Sequence, residues 1–212
     1  MSLILNKLGV SITQLYLHML TPLFNFMSSI KPISDELKDV LEQKLEIIEV
    51  PKKTLLLKEG QICNHIHVVV KGLLRMYYIK DDEEICSRFM NESLMAMSVK
   101  SFYSRLPGYE YIETLEPCIL ARIHKDDLEY VYRTYDEFNY IARAITEQYF
   151  IRSEERLFQL RKQSAEERYL YFMDKYPELL QRVPLMYIAS YLGLTLETLS
   201  RIRKKITTYG GR

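Results

Sequence analysis

The sequence has 212 residues, of which 48% are hydrophobic and 27% are charged, and its formal net charge is +1. This balance is typical of a globular chain that buries a sizeable core in one or two domains. The three cysteines, Cys63, Cys86 and Cys118, are few, odd in number and widely spaced, which argues against a disulfide framework and predicts buried free thiols in a reducing cytoplasm.

The positive charge is concentrated towards the C-terminus. Residues 152–212 hold 12 Lys or Arg against 7 Asp or Glu, a net charge of +5, so residues 1–151 carry −4. Neutralisation of nucleic-acid phosphates requires such a basic segment. The charge distribution therefore predicts that DNA would be met by the C-terminal part of the chain.

An apolar stretch occupies residues 1–21. Gln14 and His18 interrupt it, Lys7 is its single basic residue, and no small-residue cleavage site follows. The stretch is too short and too polar to span a membrane, and it is a poor signal peptide. We predict an N-terminal helical extension that packs on the body or on a partner, with a wrongly assigned start codon as the alternative.

A short helix and a run of strands come next. Ser34 is placed to cap a helix that runs to Lys44, with two acidic residues in its first turn. Short β-branched or aromatic segments separated by turn residues then predict strands over residues 46–50, 54–57, 66–71, 73–79, 85–90, 109–115 and 119–123. Such a series is typical of a double-sheet jelly roll.

A segment without Gly or Pro, residues 118–176, is too long for one ordinary helix. Asp126 can begin a short helix, and Thr134–Glu137 and Ser164–Glu167 have the pattern of capping boxes. The interval between the two boxes predicts a helix over Tyr135–Lys162, about seven turns long.

An apolar stripe follows one face of this long helix at the three- and four-residue spacing of a coiled-coil seam. Packing of the helix on its own domain is the commoner explanation for an isolated stripe. Because proteins that bind two-fold symmetric DNA sites do so as dimers, with one DNA-binding element in each subunit, we predict a dimerisation helix. Its seam residues would be Phe138, Ile141, Ala142, Ile145 and Tyr149.

A helix-turn-helix is predicted near the C-terminus. Pro184 begins a short helix, Gly193 provides a turn, and the Thr195 hydroxyl caps a second helix. Two crossed helices would bury Ile188, Ala189, Leu192, Leu194, Leu199 and Ile202. The polar face suits a DNA groove, with predicted contacts from Thr195, Glu197, Thr198, Ser200, Arg201, Arg203, Lys204 and Lys205. An ordinary hairpin with a solvated basic face is the alternative.

The run Tyr191–Arg201 resembles the recognition element of the Crp/Fnr family of bacterial transcription regulators, particularly its Fnr-like branch. Residues 55–60 and 68–72 also resemble the first half of a cyclic-nucleotide-binding domain. The resemblance implies a homodimer that pairs through the long helix and binds a TTG-containing palindrome in double-stranded DNA. It further implies base contacts from Glu197, Ser200 and Arg201, and contact with RNA polymerase.

The sensor half departs from the family pattern for cyclic AMP, which is a Gly-Glu pair followed by Arg beside Ser or Thr. Val99 stands near the expected acid and Gly108 near the expected Arg. A shifted loop could supply charge, so the candidate effector residues are Val99, Lys100, Arg105 and Tyr109; solvated loop residues are the alternative. We predict no binding of cyclic AMP.

Other cofactors are not predicted either. An Fnr-type iron–sulfur cluster needs four cysteines, and no histidine has a context that marks a haem ligand. His65 and His67 alternate onto one strand face as cupin metal ligands do, but Val70, Lys71 and Gly72 stand where the third ligand, a Glu, is expected. The alternative function is a metal-dependent cupin-like enzyme with a helical appendage; we predict no catalytic residue and no metal.

The predicted fold class is α+β, in four parts. A helical extension (1–21) precedes a cyclic-nucleotide-binding-like jelly-roll sensor (22–133), a dimerisation helix (134–163) and a helix-turn-helix DNA-binding domain (164–212). Only Thr207–Arg212 follow the predicted recognition helix, so the wing of this winged-helix-like domain is predicted to be truncated.

Overall fold

Two antiparallel sheets form the N-terminal half of the chain in the computed structural model, which describes the backbone of residues 12–209 and the side chains of residues 18–208. The strands are β1 (Glu46–Val50), β2 (Leu55–Leu57), β3 (His65–Lys71), β4 (Leu74–Lys80), β5 (Glu83–Met90), β6 (Met95–Ala96), β7 (Tyr111–Thr114) and β8 (Cys118–His124). One sheet has the order β1-β8-β3-β6 and the other β2-β7-β4-β5. This double sheet confirms the predicted jelly roll, called the roll below.

Helices precede and follow the strands, and one short helix lies between β6 and β7. They are α1 (Ile12–Ile30), α2 (Asp35–Lys44), α3 (Val99–Ser104), α4 (Lys125–Thr134), α5 (Asp136–Lys162), α6 (Ala165–Lys175), α7 (Leu179–Arg182), α8 (Leu185–Tyr191) and α9 (Leu196–Tyr209). The Ser34 hydroxyl accepts the Leu37 N–H at 3.2 Å, so it caps α2 as predicted. The long helix α5 begins within one residue of its predicted start and ends at the predicted residue.

The turns of the roll have the chemistry that their residues predict. Asp81 and Asp82 both have positive φ, 52° and 62°, between Lys80 and Glu83, which pair with each other. A two-residue loop of this kind is a type I′ turn, whose twist matches that of the flanking strands. The two-residue strand β6 was not predicted, because two residues give no periodic signal.

Three clusters of buried side chains hold the structure together. One lies between the sheets and contains Leu74, Phe102, Ile112 and Leu120. A second, on an outer face of the roll, joins α1, α2, α4 and α5 through residues that include Leu20, Leu37, Val131 and Ile141. The third joins the roll to α6–α9 and contains Leu73, Phe89, Phe172, Ile188 and Leu199.

The predicted boundary between residues 21 and 22 falls inside a helix. α1 continues through Pro22 to Ile30, and its side chains Leu20, Phe24 and Met27 are buried in the second cluster. Proline removes one helical hydrogen bond, and burial of these apolar side chains offsets that loss. The described end of the predicted extension, at Leu20, is therefore packed on the body of the chain; residues 1–11 and the side chains of residues 12–17 lie outside the described residues.

The apolar stripe predicted as a dimer seam faces the chain's own core. Ile141 is fully buried against α1 and α2, and Phe138 and Ile145 pack on the same cluster. The Tyr149 hydroxyl accepts the Met95 N–H at 2.8 Å. In the single chain, the roll and the N-terminal helices therefore pack on that face of α5, and pairing with a partner subunit through Phe138, Ile141, Ala142, Ile145 and Tyr149 stays a prediction.

The capping box predicted at Thr134–Glu137 does not form. Tyr135 is the N-cap residue of α5, and it makes no side-chain cap. Glu137 instead accepts the N–H and the hydroxyl of Ser34 at 2.9 and 2.6 Å, and these bonds lower the pKa of Glu137. A bond between residues so far apart in sequence leaves no local signal. The box at Ser164–Glu167 is confirmed.

Replacing Gly72 with alanine is expected to destabilise the roll by about 1 to 3 kcal/mol. Gly72 has a φ of 108°, and a Cβ there would lie 2.6 Å from Cys118 Sγ and 2.9 Å from the Pro117 carbonyl oxygen. Urea unfolding would measure the loss. Gly60→Ala is the control, because it shares a left-handed φ of 81° but meets nothing within 4 Å. An equal loss in the two variants would contradict the role assigned to the clash.

Candidate nucleic-acid interface and ligand cavity

A Schellman turn joins α8 to α9. The Leu194 N–H donates to the Ala189 carbonyl at 2.9 Å, and the N–H of Gly193, whose φ is 66°, donates to the Ser190 carbonyl at 3.0 Å. The Thr195 hydroxyl then accepts a backbone N–H of the first turn of α9 at 3.2 Å. The turn and the cap therefore lie where the sequence predicts them.

The two helices share an apolar interface. The predicted residues Ile188, Ala189, Leu192 and Leu199 are all at most 2% exposed. The other two, Leu194 and Ile202, are partly buried against the same cluster. This packing fixes the crossing of α8 and α9 and leaves the opposite face of α9 free of the core.

The face of α9 that points away from the core carries the predicted DNA contacts. The exposed members are Thr195, Glu197, Ser200, Arg201, Arg203, Lys204 and Lys205, and Thr198 is half-buried. The Arg201 guanidinium donates to the Thr198 hydroxyl at 3.3 Å, which orients it along the helix. Lys205 pairs with Glu166 of α6 at 2.6 Å. The helix runs to Tyr209, four residues beyond its predicted end, and residues 210–212 lie outside the described residues, so the predicted truncated wing is not tested.

Two arginines tie this helix pair to the long helix. Arg168 of α6 donates to the Leu192 carbonyl at 2.9 Å and to the Gln163 carbonyl at 2.8 Å. Arg156 of α5 donates to the Tyr191 carbonyl, and its guanidinium lies 3.8 Å from the centre of the Tyr191 ring. The carbonyls at the end of α8 are thereby satisfied by side chains of two other helices.

The helix-turn-helix also docks on the roll through polar contacts. The Ser190 hydroxyl of α8 accepts the Cys86 N–H at 2.8 Å and donates to the Glu84 carbonyl at 2.9 Å, both on β5. Arg182 of α7 pairs with Glu92 at 2.9 Å and with Glu116 at 2.7 Å. The roll and the C-terminal helices are thus joined by hydrogen bonds and an ion-pair network as well as by the third cluster.

A buried arginine strengthens this docking. Arg75 is 2% exposed and pairs with Glu84 and Glu113, each at 2.6 Å. Its guanidinium lies between two aromatic rings, 4.1 Å from the centre of Tyr77 on β4 and 3.9 Å from that of Tyr187 on α8. A cation between two ring faces is favourable where water is excluded. One side chain therefore connects the roll to the first helix of the motif.

Replacing Arg182 with glutamine should lower the free energy of unfolding by about 1 kcal/mol at pH 7. Arg182 lowers the pKa of Glu92 to about 2, from an ordinary value of 4.5. A carboxyl with a lowered folded-state pKa contributes stability above its unfolded pKa and loses it as the pH falls through the folded value. The difference in the free energy of unfolding between wild type and variant should therefore become smaller as the pH falls from 4.5 to about 2.

Urea unfolding of both proteins at pH 7, 4 and 2.5 would measure this difference. Arg122→Gln is the matched control, because Arg122 makes one ion pair, with Glu46, between neighbouring strands of a single sheet. Its loss should destabilise the chain less than the loss of Arg182. A difference for Arg182→Gln that stays constant from pH 7 to 2.5 would contradict the proposed contribution of Glu92.

The four candidate effector residues do not converge on one site. Lys100 lies on α3, and its ammonium is 5.8 Å from the centre of the Tyr109 ring. Arg105 ends α3 in a left-handed conformation and donates to the carbonyls of Cys63 and Phe102 at 2.9 and 3.2 Å. It therefore holds its own loop. Among the four, Val99 alone lines the cavity described next.

A cavity of about 330 Å³ lies between the roll and the helices α1, α2, α4 and α5. Its wall is almost entirely apolar and includes Met27, Val68, Met95, Tyr103, Ala142 and Ile145. Arg88 of β5 also lines it, and its guanidinium donates to the Ser153 hydroxyl at 3.4 Å. Part of the stripe predicted to pair with a partner subunit thus forms one wall of a partly open cavity in the chain's own fold.

Known proteins share parts of this architecture or all of it. Residues 47–135 match the family model described as the cyclic nucleotide-binding domain. The chain is similar to the structure of a transcriptional regulator of the Crp/Fnr family from Eubacterium rectale, with 17% identity, coverage of 88% of this chain and 89% of that chain, and a TM-score of 0.69. The chain has the Crp/Fnr fold.

Two further regulators have this Crp/Fnr fold. CLP, a c-di-GMP responsive global regulator from Xanthomonas campestris, is 17% identical over 84% of this chain and 93% of that chain, with a TM-score of 0.67. FixK2 from Bradyrhizobium japonicum is 21% identical over 78% of this chain and 86% of that chain, with a TM-score of 0.65. None of the curated proteins compared with the chain matches it.

The Crp/Fnr fold gives no support to the cupin-like alternative, since the proteins that share it are described as regulators. The rings of His65 and His67 are 6.0 Å apart, and burial lowers the pKa of His67 to about 4. Across the part of the chain that the structure describes, no group of three or more His, Cys, Asp or Glu could hold a metal ion. Nor does any helix of that part combine the length and hydropathy needed to cross a membrane.

Sequence reasoning missed the residues that connect the two halves of this Crp/Fnr fold. Arg75, Arg156 and Arg182 were not singled out, because their partners lie on distant parts of the chain. Arg88 was missed for the same reason. The buried state of the three cysteines, by contrast, is as predicted.

Proposed function

We propose that the chain is a sequence-specific transcription regulator of the Crp/Fnr type, which binds a palindromic operator in double-stranded DNA as a homodimer. The observation that carries this proposal is the exposed polar face of α9, on a capped helix that is fixed to α8 by a buried apolar interface. An exposed helix held in this way on a helix-turn-helix is the element that enters a major groove.

The residues of this face match base edges. Arg201 can donate two hydrogen bonds to guanine, Glu197 can accept from the amino group of cytosine, and Ser200 can bond either. All three are exposed, and none of them makes an ion pair among residues 18–208. Their side chains are therefore available to a DNA groove.

Phosphate contacts would come from the same helix. Arg203, Lys204 and Lys205 follow the base-reading residues and are exposed. Lys205 would exchange Glu166 for a phosphate, which is the stronger acceptor. These contacts position the helix and make affinity dependent on salt.

A second apolar face of α5 supports the homodimer. This outer face lies opposite the buried stripe and includes residues that are 46% to 57% exposed: Tyr140, Ile151 and Phe158. Contiguous exposed apolar patches mark interaction sites. Two copies that pair through the outer face would present two α9 helices to half-sites about one helical turn, roughly 34 Å, apart. The dimer helix is proposed again, with different seam residues.

Selection of bound fragments from random-sequence DNA by the purified chain, with sedimentation to determine its oligomeric state, would test the proposal. We expect an enriched two-fold symmetric sequence and a dimer. The absence of any enriched sequence, or binding without salt dependence, would contradict it. Contact with RNA polymerase remains a prediction.

A further inference from the structure

We propose that the cavity between the roll and helices α1, α2, α4 and α5 binds a small amphiphile with an apolar body and one carboxylate, which Arg88 receives. As the effector site of the regulator, this inference rests on the proposed function, whereas ligand binding itself can be measured without DNA. The observations concern the wall, the charge and the remaining polar groups of the cavity.

The wall requires an apolar ligand body. Its side chains come from strands and helices that are distant in sequence, such as Val68 of β3 and Ile145 of α5. Met27, Met95 and Met97 contribute unbranched side chains, which adapt to ligands of different shape. The volume of about 330 Å³ lies at the lower end of the usual range for small-molecule pockets. One compact or short-chain molecule would fit.

The charge requires an anionic head. Of the described residues that line the cavity, Arg88 alone is charged, and it makes no ion pair with any residue from 18 to 208. Its single hydrogen bond, to Ser153 at 3.4 Å, is long. A guanidinium in this position can bind a carboxylate through two parallel hydrogen bonds. The Ser153 hydroxyl lies beside it as a further donor.

The other polar side chains of the wall are already engaged. The hydroxyls of Tyr103 and Tyr132 bond to each other. The Tyr149 hydroxyl bonds to both the N–H and the carbonyl of Met95, at 2.8 and 3.2 Å. The Thr146 hydroxyl donates to the Ala142 carbonyl at 2.8 Å. A sugar or a nucleobase would therefore lose its hydrogen bonds to water without gaining partners here, which is unfavourable. The cavity thus favours an apolar acid over a nucleotide.

The test uses sodium decanoate and its uncharged match 1-decanol, both below the concentration at which they aggregate, with calorimetry on the purified full chain. We expect saturable binding of one decanoate per subunit. Decanoate should bind at least about tenfold more tightly than decanol, because a charge-assisted hydrogen bond is added.

Two variants probe the head and the body separately. Arg88→Gln should remove the preference for decanoate over decanol. Ala142→Phe should weaken both probes by more than about tenfold, because the larger side chain fills the cavity. Arg133→Gln, an exposed arginine of α4 that does not line the cavity, is the control and should bind like the wild type. Thermal unfolding would verify that each variant folds, and Ala142→Leu replaces Ala142→Phe if the latter does not.

Several results would overturn the proposal. One is a dimer that binds neither probe saturably, as would happen if a partner subunit filled the cavity. Another is a preference for decanoate that survives in Arg88→Gln, and a third is binding that Ala142→Phe leaves unchanged. Selection of bound fragments from random-sequence DNA by the ligand-free protein tests the proposed function independently of ligand binding. Intact DNA binding without probe binding rejects the ligand site, and the converse rejects the regulator.

Discussion

Replacing Arg201 with alanine should weaken operator binding by about 1 to 3 kcal/mol and relax the base preference at one base pair. The guanidinium is exposed on α9 and is oriented by the Thr198 hydroxyl, so it can reach a guanine edge without rearrangement of the helix. Fluorescence anisotropy with the selected operator, and with each base substituted at the contacted position, would measure both effects.

The matched control is Lys204→Ala, on the same exposed surface. A phosphate contact carries no sequence information, so this variant should weaken binding to all sequences alike. The slope of log affinity against log salt concentration should become smaller by about 1. If Arg201→Ala left affinity and base preference unchanged, the assignment of α9 as the recognition helix would be wrong. If both variants relaxed the same base preference, Arg201 would have no specific role.

Replacing Phe158 with glutamate should convert the dimer to a monomer and greatly reduce operator affinity. The Phe158 ring is 57% exposed in the single chain, so the substitution should leave the fold of each subunit intact. In a dimer that pairs through the outer face of α5, the new carboxylate would be buried against apolar side chains, which is costly. A monomer also loses the gain from binding two half-sites together. Sedimentation and anisotropy would measure the two losses.

The contrasting variant is Ile141→Ala, in the stripe that lines the chain's own core. Ile141 is fully buried, so its truncation should lower the free energy of unfolding by about 2 to 5 kcal/mol and leave the association of folded subunits unchanged. Urea unfolding and sedimentation of the folded protein would separate these effects. A dimer that persisted in Phe158→Glu but dissociated in Ile141→Ala would restore the original seam.

The sequence predicts correctly those features that depend on interactions between residues close together in the chain. Thr195, Gly193 and Leu199 act on neighbours within a few residues, and their roles in the helix-turn-helix are those predicted. The strands of the roll were predicted because alternation and turn residues are local as well. The α+β class and the order of the elements therefore follow from the sequence.

Interactions between distant segments were not predictable in the same way. The spacing of Phe138, Ile141 and Ile145 shows that one face of α5 is apolar, but spacing does not reveal what covers it. The outer face has apolar residues too, and the contacts of α1 and α2 with Ile141 favour the outer face as the one left for a partner. The partner of Glu137 and the surroundings of Arg88 depend equally on contacts that only the folded chain brings together.

The strand β5 connects the cavity to the helix pair α8 and α9. Its Cys86 N–H and Glu84 carbonyl hold Ser190 of α8, and Arg88 two residues further along reaches the cavity. The strand carries a β-bulge between Cys86 and Arg88, and a bulge bends the strand locally. A ligand bound by Arg88 in the proposed site would therefore act on β5 at this bulge, next to the residues that hold Ser190 of α8. In the proposed dimer, a resulting shift of β5 would change the orientation of the α9 helix in each subunit.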